Sequence, residues 1–156
     1  RTLFQTVDLH DKVSVELDEN LDGFELECKG LNVPAGESNL AVRAARAFAA
    51  EWKIDQGVRI GLDKRIPLGG GLGGGSSNAA TVLLALRDLL GRPGRVSDLW
   101  PIAHQLGADV PFFLVGGTAL GIGRGDEVIP ISELAEPISG WINEKYVAAQ
   151  AEGRVA

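Results

Sequence analysis

The chain has 156 residues, of which 45% are apolar and 23% charged, a size and balance that suit one globular domain with a sizeable core. A formal net charge of −6 argues against a nucleic-acid-binding surface, which wants a basic patch, but not against nucleotides, which backbone dipoles can hold. Cys28 is the only cysteine, so an intrachain disulfide is excluded, and no run of about 18 apolar residues marks a membrane span; no signal peptide is visible, and a reducing, cytoplasmic setting is the expectation. The chain starts at Arg1 and contains no methionine, which suggests a fragment or a processed form.

Residues 2–9 read as a strand. Val13, Val15 and Leu17 alternate with Lys12, Ser14 and Glu16, and Phe24, Leu26 and Cys28 alternate with Glu25, Glu27 and Lys29, each the pattern of a half-buried strand. The turn-rich residues 18–23 between them predict an antiparallel hairpin, with Cys28 turned inward as a small buried hydrophobe. After Pro34-Ala35-Gly36, Ser38 or Asn39 caps an amphipathic helix running to about Lys53, with Leu40, Ala44, Ala45, Phe48 and Trp52 on one face. Val58, Ile60 and Leu62 define a further strand ending at Lys64-Arg65.

Pro67 then introduces the most informative stretch. Six of the seven positions from Gly69 to Gly75 are glycine, and residues 76–90 follow as a helix that is apolar or small nearly all round, hence buried. Such a glycine run loses much backbone entropy on folding. It provides N–H groups with no Cβ in the way, and at a helix N-terminus these and the helix dipole form a site for phosphate oxygens. Gly91 ends that helix, Ser97 caps a short helix ending near Leu106 with Pro101 close to its start, and His104 in it reads as structural or exposed, as does His10. Residues 112–115 and 118–122 read as strands joined at Gly116-Gly117, residues 128–131 as an edge strand, and the segment beyond Pro137 as weakly helical and without a motif. Strands and helices mix without regular βαβ alternation, which predicts an α+β two-layer sandwich: helices on one face of a mostly antiparallel sheet.

Three kinds of phosphate loop can be compared with the glycine run. A Walker A loop needs a closing Lys-Ser/Thr pair, but Ser76-Ser77 follow the glycines with no lysine. A dinucleotide fingerprint would need glycines in a different phase and an acidic residue about 20 positions on, after a second parallel strand. The third pattern, Pro-x-Gly-x-Gly-Leu-Gly-x-x-Ser-Ser opening a buried helix, is met by Pro67, Gly69, Gly71, Leu72, Gly73, Ser76 and Ser77. It resembles the phosphate loop of the superfamily of galactokinase, homoserine kinase, mevalonate kinase and phosphomevalonate kinase. Within it, residues 66–80 with their Gly-Gly-Gly-Ser-Ser core, and Leu106-Gly107-Ala108-Asp109-Val110-Pro111-Phe112-Phe113, resemble the 4-diphosphocytidyl-2-C-methyl-D-erythritol kinase family. Residues 2–9 and 39–45 are similar to it too, in the right order, so the resemblance spans about residues 1–131.

The resemblance implies a bacterial cytoplasmic kinase that uses ATP and Mg²⁺ to phosphorylate the 2-hydroxyl of a cytidine-diphosphate sugar alcohol in the non-mevalonate route to isoprenoids. It implies ATP binding by Pro67, Leu68, Gly69, Gly70, Gly71, Leu72, Gly73, Gly74, Gly75, Ser76 and Ser77, with Asn39 and Lys64 near the adenosine. Asp109 would be the catalytic aspartate, partly buried among Ala108, Val110, Pro111 and Phe112. No residue is assigned as a metal ligand, and the partner implied is the small-molecule substrate, with no nucleic acid or membrane. Residues 1–136 would form the ATP-binding domain without its first segment, 137–156 an unassigned tail, and the family's C-terminal domain, like its N-terminal lysine segment, would be missing. The expected readings of that composition are a poorly active piece of this kinase, another small-molecule kinase of the superfamily, or a non-catalytic nucleotide-binding remnant.

Overall fold

The computed structural model describes residues 1–91 and 95–131, together with the backbone at 147–149 and 152–153. In chain order the elements are β1 (Thr2–Val7), β2 (Lys12–Asp18), β3 (Phe24–Gly30), α1 (Leu40–Trp52), β4 (Gly57–Lys64), α2 (Gly74–Leu89), α3 (Trp100–Leu106), α4 (Val110–Val115), β5 (Thr118–Ile122), β6 (Glu127–Pro130), β7 (Val147–Ala149) and β8 (Glu152–Gly153). Single 3₁₀ turns at Gly36–Ser38 and Val96–Leu99 precede α1 and α3. The strands form two four-stranded sheets, in the orders β6-β5-β1-β7 and β3-β4-β2-β8. The expected α+β architecture is present, with α1 to α4 sharing a hydrophobic core with β2 and β4.

In the second sheet, Val13 of β2 and Val58, Ile60 and Leu62 of β4 are buried, whereas Lys12 and Ser14 are exposed and Arg59 and Asp63 are partly exposed. One face thus meets the helices and the other meets water. On the wet face Arg59 bridges the strands, pairing with Asp18 and Glu25, each at 3.1 Å. The core is closed by α1 and α2, which contribute Ala41, Val42, Ala44, Ala45 and Phe48 from one helix and Ala79, Ala80, Val82, Leu83 and Leu86 from the other. α4 joins the two halves: Phe112 is fully buried, stacks on Phe4 of β1 at 4.7 Å between ring centroids, and meets Phe113 edge-on at 5.0 Å.

The structure corrects four expectations. β2 and β3 form no hairpin: β4 lies between them, antiparallel to β2 (Val15 opposite Ile60) and parallel to β3 (Leu26 opposite Ile60). The connection after β2 passes over the start of β4, where Val58 N donates to Gly23 O at 2.9 Å and Gly57 presses on the Leu21 carbonyl so closely that no Cβ would fit. Cys28 is exposed, because it lies in the second half of the edge strand β3, where the last four residues are all exposed; its thiol donates to the carbonyls of Lys29 and Leu31. Residues 112–115 are helical, as part of α4, where Pro111 occupies an N-terminal position that needs no N–H. Ser97 caps nothing; instead Asp98 Oδ2 accepts from Arg95 N at 3.0 Å ahead of α3.

Of the tail beyond Pro137, the five described residues are strand rather than helix, β7 running parallel to β1 and β8 parallel to β2; the rest lies outside the described residues. Among the described residues no helix is long and apolar enough to cross a membrane. Because Phe112 fills the junction between α4 and β1, Phe112→Ala is expected to lower stability by about 3–5 kcal/mol, read as a shift of the urea unfolding midpoint at unchanged slope.

Candidate nucleotide-binding site

The strand that leads into the glycine loop is anchored at its last residue. In β4 the inward positions alternate Val58, Ile60, Leu62 and Lys64, so strand geometry drives a lysine into the core. Lys64 is 3% exposed, and its Nζ donates at 2.5 Å to Oδ2 of Asp11, which is fully buried. The other oxygen of Asp11 accepts from the backbone N–H of Arg65 at 2.7 Å and of Ile66 at 2.8 Å. One carboxylate therefore holds the ammonium and the two peptide groups from which the loop departs. Asp11 was not picked out from the sequence. Its signal was indirect: a lysine in phase with Val58, Ile60 and Leu62 requires a buried anion.

The loop itself runs from Pro67 to Gly73, the residue that precedes α2. Gly69, Gly71 and Gly73 have φ of 70°, 70° and 67°, the left-handed region where a side chain is strained. Gly73 and Gly74 are also required by packing, since a Cβ would lie 2.7 Å from the Phe113 ring in one case and 2.8 Å from Ile66 Cγ2 in the other. The loop and the first turn of α2 enclose a cavity of about 220 Å³, lined by Leu40, Lys64 and residues 67–76. A second cavity of about 120 Å³ adjoins it, lined by Val33, Pro34, Ser38, Asn39, Leu40, Leu62, Lys64, Leu68, Gly75 and Asn78. The two share Leu40, Lys64, Leu68 and Gly75.

The structure brings most of the sequence-predicted residues together here and separates their tasks. Ser76 lines the loop cavity, whereas Ser77 is buried and its hydroxyl donates to Gly74 O at 2.9 Å, inside the helix. Asn39 caps α1, its Oδ1 accepting from Ala41 N at 2.9 Å and its Nδ2 donating to Pro34 O at 3.0 Å. Lys64, which also reads from sequence as a solvated strand-end charge, is buried at the junction of both cavities.

Asp109 departs from expectation. It is exposed rather than partly buried, because it sits at the N-cap position of α4, ahead of the residues that enter the core. Its side chain makes no cap hydrogen bond. Its helix is nevertheless held against the loop: Phe113, four residues on and so on the same side of α4, is the ring that would meet a Cβ on Gly73. The described residues contain no cluster of three or more His, Cys, Asp or Glu side chains that could hold a metal ion.

An α+β domain in which a glycine loop and the N-terminus of a buried helix line a cavity has the local geometry from which anion sites at helix N-termini are built. The chain belongs to the GHMP kinase family: the model of the GHMP kinases N terminal domain matches residues 39–117. The 4-diphosphocytidyl-2-C-methyl-D-erythritol kinase of Saccharopolyspora erythraea is 43% identical over 145 residues, covering 90% of this chain and 45% of that protein. The protein of the same name from Clostridium botulinum strain Loch Maree is 40% identical over 138 residues, covering 88% and 49%. A crystal structure of a 4-(cytidine 5'-diphospho)-2C-methyl-D-erythritol kinase superposes with a TM-score of 0.66 at 44% identity, over 78% of this chain and 41% of that one. Homoserine kinase from Cytophaga hutchinsonii superposes with a TM-score of 0.61 at 26% identity, over 74% and 40%. The chain spans about half the length of the curated relatives it matches.

Replacing Asp11 leaves Lys64 charged, buried and without its carboxylate, so Asp11→Ala is expected to cost about 3–5 kcal/mol of stability. Asp11→Asn, which keeps an acceptor for the two backbone amides, should cost less; equilibrium denaturation of the two variants checks the order.

Proposed function

We propose that this chain is the ATP-binding part of a 4-diphosphocytidyl-2-C-methyl-D-erythritol kinase, which transfers the γ-phosphoryl group of ATP to the 2-hydroxyl of that substrate in isoprenoid biosynthesis. The observation that carries the nucleotide reading is a pair of glycines the fold does not demand. Gly70 and Gly75 lie outside the left-handed region, and a Cβ on either would find its nearest neighbour at 3.5 Å, an ordinary contact. Both line the loop cavity. With neither backbone nor packing requiring glycine there, close approach of a ligand to the backbone remains as the reason. The relatives' names support the choice of acceptor.

In this reading the triphosphate lies in the cavity of about 220 Å³, held by N–H groups of residues 69–75 and by the positive end of α2. The Ser76 hydroxyl reaches the phosphates, and the Lys64 ammonium, which among the described residues donates to Asp11 alone, keeps further N–H donors for the nucleotide. Bound Mg²⁺ would neutralise charge developing on the phosphates, and the Ser76 hydroxyl, which lines the cavity, is the side-chain oxygen that would be available to it. Asp109 accepts the proton of the substrate hydroxyl as its oxygen forms the new bond to the γ-phosphorus. The bond to the β–γ bridging oxygen breaks, and ADP leaves. An exposed carboxylate free of a cap hydrogen bond is available for that proton.

Gly75→Ala separates fold from ligand. In the first turn of α2 alanine should raise stability by about 0.5–1 kcal/mol, while its methyl group should weaken ATP binding about tenfold, or about 1.4 kcal/mol. Thermal melting and isothermal titration with ATP measure the two; unchanged affinity would remove the loop from the nucleotide site.

In the longer protein that carries this chain, Asp109→Asn should leave ATP affinity intact and lower kcat by about 10²- to 10⁴-fold. An ATP-coupled assay with the cytidine-diphosphate alcohol, homoserine and mevalonate tests the acceptor, and turnover of one of the latter two alone would reassign the substrate.

A further inference from the structure

The outer edge of β3 lies apart from the nucleotide site and is open. At one end of the β3–β4 pair Val58 N donates to Gly23 O at 2.9 Å, and at the other Leu31 N donates to Lys64 O at 3.1 Å. In a parallel pair alternate residues bond to the neighbouring strand, so the odd-numbered residues of β3 face β4. Leu26 and Cys28 then aim their N–H and C=O groups away from it. Among the described residues no second strand pairs with β3, and residues 27–30 are all exposed. The edge contains no proline, and its register with β4 runs from Phe24 to Gly30 without a bulge. Such an edge is a template for another strand, and side-chain charge is what restricts its use.

The charges here are selective. Glu25, Glu27 and Lys29 share the face that meets water. Glu25 pairs with Arg59 at 3.1 Å, and Asp63, which lies opposite Lys29 in β4, pairs with Arg65 at 2.9 Å. Glu27 and Lys29 have no ion pair among the described residues. We propose that β3 is the self-association edge of this chain, pairing antiparallel with β3 of a second copy about a two-fold axis that sets Cys28 opposite Cys28. This association is independent of the nucleotide reading. Side chains directly opposite in an antiparallel pair share a face. With Cys28 on the axis, Glu27 of each copy lies opposite Lys29 of the other, and both free charges gain a partner. Leu26, half-buried beneath the helices, lies opposite Gly30, which has room for it, and diagonal to the second Cys28. The two Cys28 residues exchange backbone hydrogen bonds through the groups that β4 leaves free. Neighbouring registers fail. An axis at Glu27 or at Lys29 sets that charge against its own copy, and an axis at Leu26 sets Glu25 against Glu27 on both sides. Like charges directly opposite are destabilising, so the sequence of β3 rejects these three registers and admits one.

The experiment follows the whole chain by sedimentation equilibrium at low ionic strength, as wild type, Glu27→Lys, Lys29→Glu, the double exchange, and an equimolar mixture of the two single variants. Each sample is also treated with dibromobimane, a short reagent that joins two neighbouring thiols, and melted to confirm an unchanged fold. Wild type should dimerise and crosslink; Cys28→Ser should abolish the crosslink and keep the dimer. Each single variant sets like charges opposite each other twice and should dimerise about tenfold or more weakly. The double exchange and the mixture both restore two opposite-charge pairs and should associate as wild type does, the mixture as a heterodimer. Added salt should weaken the wild-type dimer. A monomeric wild type overturns the proposal, and if its Cys28 then resists a maleimide, another segment occupies the edge. A dimer that both single variants leave intact overturns it by placing the interface elsewhere. Failure of the mixture to associate overturns it as well, because the register then is not the one that opposes Glu27 and Lys29.

Discussion

The buried carboxylate of Asp11 is the constraint on which the site geometry depends. It joins the start of β2 to the end of β4 across 53 positions of sequence and receives an ammonium and two backbone N–H groups. Taken alone, a buried ion pair is weak evidence for stability, because desolvating two charges offsets most of their attraction. What this one supplies is position. β2 and β4 are paired with Lys12 opposite Asp63, which leaves Asp11 at the level of Lys64. A slip of one residue would turn every inward side chain of β2 outward. Asp11 would then lose Lys64, and the loop would leave the sheet from a different place.

From that anchor the loop has little freedom. Ile66 is fully buried, and a Cβ on Gly74 would meet both its side chain and the Lys64 ammonium, so the first residue of α2 rests directly on the end of β4. Phe113 of α4 closes on Gly73 from the other side. The N-terminus of α2 is thus clamped between a strand end and a helix. Its free N–H groups are fixed by the fold, so under the proposed function a phosphate would meet donors already in place and would not have to supply the entropy of ordering them.

The parts of this arrangement that are local in sequence were legible in it, and those that depend on distant partners were not. The glycine phase, the start of α2 to within two residues and a cap at Ser38 or Asn39, which the structure gives to Asn39, follow from backbone chemistry at single positions. The strand partners did not: alternation identifies a half-buried strand but is silent about its neighbour, and β4, with three fully or nearly fully buried aliphatic side chains, takes the central place between β2 and β3. The four apolar residues at 112–115 fit strand and helix equally by periodicity; Pro111, at a helix N-terminal position, was the better guide. The exposure of Asp109 depends on where α4 begins, one residue after it, which the apolar neighbours obscured. Asp11 carries no pattern of its own and becomes visible only through Lys64, the buried charge beside it.

The cavity beside the loop owes its shape to the smallest side chains in the core. α1 and α2 pack against each other, and Ala41, Ala44 and Ala45 of the first and Ala79 and Ala80 of the second lie in the shared core, all but completely buried. Alanine faces let two helices approach closely, and this approach places Leu40, the first residue of α1, with its Cδ1 3.5 Å from where a Cβ on Gly75 would stand. Larger residues in place of these alanines would overpack the core between the two helices. The buried turns of α2 beyond Asn78, with Ala79, Ala80, Val82, Leu83 and Leu86 in the core, anchor the helix whose first turn lines the loop cavity.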